Sequence, residues 1–206
     1  MSSVFPEEVE DALRREAKRE LRKSMQRMRA FMSASLRAAA SERIRARLRE
    51  ARVYEGVRAM ASFAPIEQKG EPSTQGLHDD ARALGITVAY PAIGDDGVML
   101  FRASATMPTE EQGRGFPEPA LDAAVVPFAE LDLVIVPGLA FDPDGFRIGY
   151  GAGFYDRALP SCTRARKVGV AFDVQIVIEV PARPFDVPVD LVVTDKRSFE
   201  RAKKEP

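Results

Sequence analysis

Along the first fifty residues the apolar positions recur at helical spacing. Leu13, Ala17, Leu21, Met25, Met28 and Met32 follow at steps of three or four, which places them on one helix face. "MSAS" interrupts the pattern, and Ser33 supplies an N-cap for a second helix carrying Leu36, Ala40, Ile44 and Leu48. The methionines of the first stripe read as core filler. From residue 57 the period changes. "VRAMASFAP" reads as a strand and "TQGLHDDARALG" as a short helix whose Gly85 suits a left-handed C-terminal cap. "ITVAYPAI" and "VMLFRA" read as strands joined by the turn "GDDG". Residues 107 to 123, rich in Pro, Gly and Glu, have no periodicity and read as a surface loop. "LDLVIVPG" is an apolar run bounded by turn signals, the pattern of a strand buried on both faces. "GAGFYDRALP" starts a helix, and "RKVGVAF" and "VDLVVTD" are the last strands. Strands alternating with helices after two leading helices predict one α/β domain, a mostly parallel sheet flanked by helices.

Composition narrows the class. The chain has 206 residues and a formal net charge of -1, with no run long enough for a membrane span and no apolar core of a signal peptide. Cys162 is the only cysteine, so an internal disulfide is excluded, and a cytoplasmic enzyme or binding protein is expected. The balance hides an asymmetry: residues 1 to 58 hold 15 Lys and Arg against 9 Asp and Glu. Such a basic segment fits a nucleic-acid footprint or the solvated faces of helices, and the absence of a nucleic-acid motif favours solvated faces. His78, the single histidine, lies on a short polar helix and reads as a surface residue without a role. Cys162 has no evident base partner and reads as structural.

The chemistry concentrates after "LDLVIVPG". The carboxyl ends of strands are where α/β sheets place their ligands. "DPDG" (142–145) makes a tight turn, and "GYGAG" (149–153) follows with side chains missing at alternate positions. Its amides are free to approach an anion, at the head of a helix and beside Arg147 as a clamp. The spacing matches neither a Walker loop nor a dinucleotide fingerprint, so close helix–strand packing remains an equal alternative at this point.

"VPGLAFDPDGFRIGYGAGFYDR" resembles the signature of the 5-formyltetrahydrofolate cyclo-ligase family, and the similarity extends from about Lys18 to Asp195. "KRELR" (18–22), "GEPST" (70–74), "GFPEP" (115–119), Gln175 and "FDVPVDLVVTD" resemble further family motifs in the same order. The resemblance implies ATP- and magnesium-dependent ring closure of 5-formyltetrahydrofolate to 5,10-methenyltetrahydrofolate; separately, a monomer with no nucleic-acid or membrane partner is expected. Residues 1–17 then form an N-terminal extension of the first helix, within one domain spanning 1–206. By position it assigns nucleotide binding to Lys18, Arg22, Arg147, Ile148, Gly149, Tyr150, Gly151, Ala152, Gly153, Phe154 and Tyr155. Among these, Arg147 and Tyr155 carry the catalytic assignment. Ile66 and Glu71 fall on folate contacts, and Asp156 and Asp186 on magnesium positions, which suits hard oxygen ligands bridged to phosphates. Glu118 in the "PEP" corner is a further candidate. Ala152 stands where many members carry Lys or Gly, and Phe185 where a polar residue often precedes the metal aspartate. Two rivals follow: a non-catalytic folate- or nucleotide-binding relative, motivated by those departures, and a nucleic-acid-binding module.

Overall fold

The computed structural model describes residues 6–183 and 186–202. Helix α1 spans Glu7–Phe31 and α2 Ala34–Glu50; Ser33 caps α2 by accepting the Leu36 N–H at 3.3 Å, as its position predicts. The strands are β1 (Ala59–Ala61), β2 (Thr87–Ile93), β3 (Met99–Ala103), β4 (Val125–Val126), β5 (Leu133–Val136), β6 (Ala140–Phe141), β7 (Arg147–Ile148), β8 (Arg166–Val170), β9 (Leu191–Val193) and β10 (Ser198–Glu200). Helices α3 (Gln75–Ala83) and α4 (Phe154–Ala158) complete the set. Eight strands form one sheet in the order β10-β9-β8-β5-β1-β2-β3-β4. Its centre, from β9 through β8, β5 and β1 to β2, is parallel, and antiparallel strands finish both edges. β6 and β7 form a separate hairpin closed by Asp142–Gly145.

Alternation along the central strands feeds two cores. Met60, Val88, Tyr90, Leu133 and Ile135 pack under α2 and α3 with Ala40, Ile44, Leu48, Leu77 and Ala81. Ala61, Ala89, Val134 and Val136 face the other way, against Phe101, Phe141, Ala158 and Leu159. β5 is buried at every position, as its unbroken apolar run requires when both faces are covered. Gly85 ends α3 with φ 75°, and the Ile86 N–H reaches back to the Ala81 carbonyl, closing that helix as expected.

The docking of α1 departs from the apolar stripe. Leu13 is 57% exposed and Met28 42%, whereas Met25 and Arg29 are the helix's buried residues. The face turned inward carries Lys18, Arg22, Met25 and Arg29, at steps of four, three and four. Met25 packs with Leu139, Ala140, Ile148 and Val180, which seats α1 on the β6–β7 hairpin. A charged face is buried because it finds charged and polar partners, at the place where the chemistry gathers.

Candidate active site

β5 ends at Val136, and the hairpin carries the chain to Gly149 through Phe154 beyond the sheet edge. A side chain at Gly149 would meet nothing within 4 Å, and one at Gly151 only the Arg22 guanidinium, at 3.8 Å. The glycines therefore do not serve helix–strand packing. Gly151 and Gly153 are glycine for conformation instead, with φ of 112° and 68°. The expected helix at the loop's end is a single turn, five residues long, so its dipole supplies little. Guanidinium groups supply the positive field. Arg22 Nε donates to the Gly149 carbonyl at 2.9 Å, and Arg157 Nη1 to the Ala152 carbonyl at 3.0 Å. Ala152 is exposed, and its methyl leaves the loop open.

Two further cations are held by the two predicted metal aspartates. Lys18 Nζ lies 2.6 Å from Asp186 Oδ2, with both side chains under 15% exposed (14% and 13%). Arg147 Nη2 donates to Asp156 Oδ1 at 2.8 Å, and Arg147 Nη1 to the Val187 carbonyl at 3.3 Å. Among the described residues no three His, Cys, Asp or Glu side chains gather to hold an ion. That donor set does not suit a resident all-protein cage. It suits magnesium arriving on nucleotide phosphates, which keeps most of its waters and takes one or two carboxylates. Phe185 lies outside the described residues.

Across the loop sits a buried polar cluster. Tyr150 Oη donates to Glu71 Oε1 at 2.6 Å and accepts from Arg29 Nη2 at 2.5 Å. The Ile66 N–H donates to Glu71 Oε2 at 2.8 Å, which joins the two expected folate contacts directly. Lys69 Nζ stands 4.5 Å from the centre of the Tyr150 ring, a cation–π contact. The Tyr155 hydroxyl is buried without a hydrogen-bond partner among the described residues, and its ring packs 6.5 Å from that of Phe101. Burial first, and the Glu71 charge second, raise the Tyr155 phenol above its ordinary range, so it stays a proton donor at neutral pH. The same two causes, with burial again first, raise Tyr150.

The assigned residues thus fall into one region: Lys18 and Arg22 on α1, Arg147 on β7, the 149–153 loop, Tyr155 and Asp156 on α4, and Asp186 beyond. Ile66 and Glu71 join it through Tyr150. Arg29 and Lys69 escaped the sequence reading, although Arg29 lies seven residues after Arg22 on the same helix face. His78 is a correction. It is fully buried, with Nε2 2.7 Å from Ser62 Oγ and Nδ1 3.1 Å from Tyr90 Oη, because α3 lays its inner face on β1 and β2. Cys162 is buried, its thiol pushed up to about 11 by burial, consistent with a packing role. Gln175, fully buried, donates to the Gly138 and Leu139 carbonyls and accepts from the Phe172 N–H, which fixes the loop after β5.

Comparison with known proteins gives the family and the fold. The model of the 5-formyltetrahydrofolate cyclo-ligase family matches residues 14–195. The 5-formyltetrahydrofolate cyclo-ligase of Mycolicibacterium smegmatis is 34% identical over 151 residues, covering 69% of this chain and 76% of its own length. The structure of 5,10-methenyltetrahydrofolate synthetase from Aquifex aeolicus superimposes with a TM-score of 0.78 at 28% identity, over 92% of this chain and 95% of that one. The synthetase of Mycoplasma pneumoniae, at 24% identity and a TM-score of 0.72 over 87% of this chain and 99% of its own, shares the fold.

Proposed function

The chain belongs to the 5-formyltetrahydrofolate cyclo-ligase family, and on that premise we propose that it converts 5-formyltetrahydrofolate and ATP to 5,10-methenyltetrahydrofolate, ADP and phosphate. The observation that supports this best is the loop at 149–153, whose missing side chains face only guanidinium groups and open space. A loop of that kind takes a polyphosphate.

The chemistry follows from the substrate. A formamide oxygen is a poor leaving group. In our reading it attacks the γ-phosphorus, the bond to the β-phosphate oxygen breaks, and ADP departs. The second folate nitrogen then attacks the activated formyl carbon and loses its proton, and the C–O bond breaks as phosphate leaves. Such a sequence needs positioning and charge stabilisation more than covalent help from the protein. Lys18, Arg22 and Arg147 are assigned to the phosphates, and the 149–153 amides line their path. Asp156 and Asp186 would hold magnesium, which neutralises charge on the β- and γ-phosphates when bound. For this, Lys18 and Arg147 exchange their carboxylates for phosphate oxygens. Glu71, fixed by Tyr150 and the Ile66 N–H, keeps lone pairs for pterin N–H groups. We assign the Tyr155 hydroxyl, which has no hydrogen-bond partner among the described residues, to donate to the formyl oxygen. We assign the enzyme to the cytoplasm, as a monomer acting on a reduced folate without nucleic-acid or membrane partners.

The test is direct. Purified protein with 5-formyltetrahydrofolate and Mg-ATP is expected to develop methenyl absorbance with one ADP per product. Folded protein that binds both ligands and forms no product would establish the non-catalytic relative instead.

A further inference from the structure

The "PEP" corner carries a carboxylate that the fold leaves half used. Glu118 is only 6% exposed. Its Oε2 accepts the Ile93 N–H at 2.9 Å, at the carboxyl end of β2, while Oε1 is buried with no hydrogen-bond partner among the described residues. The corner is held firmly: the Glu118 N–H donates to the Glu110 carbonyl at 2.9 Å, and Gln112 Nε2 to the Pro119 carbonyl at 3.1 Å. The Ile93 bond holds the carboxylate itself against this anchored backbone. A buried acceptor without a donor is a standing cost unless something supplies the donor.

The neighbours of that corner lead toward α4. Phe116, two residues earlier, meets Phe154 edge to face with ring centroids 6.3 Å apart, and Tyr155 is the next residue on α4. Ile93, Phe154 and Tyr155 pack against the same cluster around Phe101. Two buried polar atoms without partners, Glu118 Oε1 and Tyr155 Oη, are thereby carried to one side of the sheet. One is an acceptor and the other a donor. Glu71, by contrast, already has a donor on each oxygen. Resting on the folate reading above, we propose that Glu118 Oε1 accepts an N–H of the reduced pterin, making Glu118 a substrate-recognition residue paired with Tyr155 across the bound ring.

The test measures 5-formyltetrahydrofolate and ATP binding separately by calorimetry, for Glu118→Ala and Glu118→Gln. The glutamine keeps one carbonyl for the Ile93 N–H but turns an NH2 toward the pterin's own donors. It therefore remains informative where the alanine fails to fold. Both variants are expected to lose about tenfold or more in folate affinity, the scale of one charged hydrogen bond. ATP affinity should stay within about twofold, and Glu118→Gln should melt no lower than the parent, because its unpaired charge is gone. Unchanged folate affinity in Glu118→Gln would overturn the proposal, as would parallel loss of both ligands. A Glu71→Ala control separates the failures. Folate loss there, without loss in Glu118→Gln, rejects this inference and keeps the functional reading; a parent protein blind to folate rejects both.

Discussion

Replacing Tyr150 by phenylalanine removes one oxygen from the middle of the Arg29–Tyr150–Glu71 chain. The ring stays, so no cavity forms and the Lys69 contact at 4.5 Å survives. What disappears is the donor to Glu71 Oε1 at 2.6 Å and the acceptor for Arg29 Nη2 at 2.5 Å. Arg29 Nε and Nη1 already lack hydrogen-bond partners among the described residues, so this fully buried guanidinium keeps its ion pair with Glu71 but no side-chain hydrogen bond. Its Nη1 stands 3.9 Å from Glu71 Oε1, too far for one. A hydrogen bond to a charged group contributes about 1.5–3 kcal/mol, and two that share one hydroxyl relax together, so a loss of about 3 kcal/mol is expected. In a domain of this size that lowers the melting temperature by roughly 6–12 °C. Urea denaturation should show a lower midpoint at unchanged slope. Tyr155→Phe is the matched control: its hydroxyl has no partner, so its removal should leave stability unchanged or slightly raised while slowing ring closure. Equal stability effects from the two substitutions would refute the reasoning.

Three other perturbations have definite signs. His78 is buried and held down to about 3, first by desolvation and then by the Arg82 charge. The unfolded chain takes up its proton near pH 6.5 and the native protein does not. Stability should therefore fall by on the order of 1 kcal/mol per pH unit as pH drops from about 6.5 toward 3; an NMR titration placing the ring near 6.5 would contradict this. Gly145→Ala puts a Cβ 2.3 Å from the Val189 carbonyl oxygen at a φ of 85°, so that variant should lose several kcal/mol or fail to fold, read by denaturation midpoint. Lys18→Ala and Arg147→Ala should weaken ATP about ten- to a hundredfold and folate little, with Glu71→Ala reversing the preference. Equal loss of both ligands in titrations would show the assignments to be wrong.

Much of this was legible in the residues, and the exceptions have physical reasons. β5 announced itself because a strand covered on both faces must be apolar throughout, and Ser33 and Gly85 marked helix ends because capping is local chemistry. The glycine loop is recognisable as a motif, but only the open space around Gly149 and Gly151 separates a binding loop from close packing. α1 misled the hydrophobic pattern: its docked face is the basic one, since Asp186, the Gly149 carbonyl and Tyr150 provide partners that only tertiary structure brings together. His78 misled for the same reason, because Ser62, just past β1, and Tyr90 of β2 supply its partners. The hairpin strands β6 and β7 have two residues each, too few to show a period.

In the proposed reaction the formyl oxygen is activated by phosphoryl transfer and leaves as phosphate. 5-Formyltetrahydrofolate labelled with oxygen-18 in the formyl group tests it in a single turnover, by mass analysis of the released phosphate. One labelled oxygen is expected in each phosphate formed alongside methenyl product. Label released into water, with unlabelled phosphate, would contradict it.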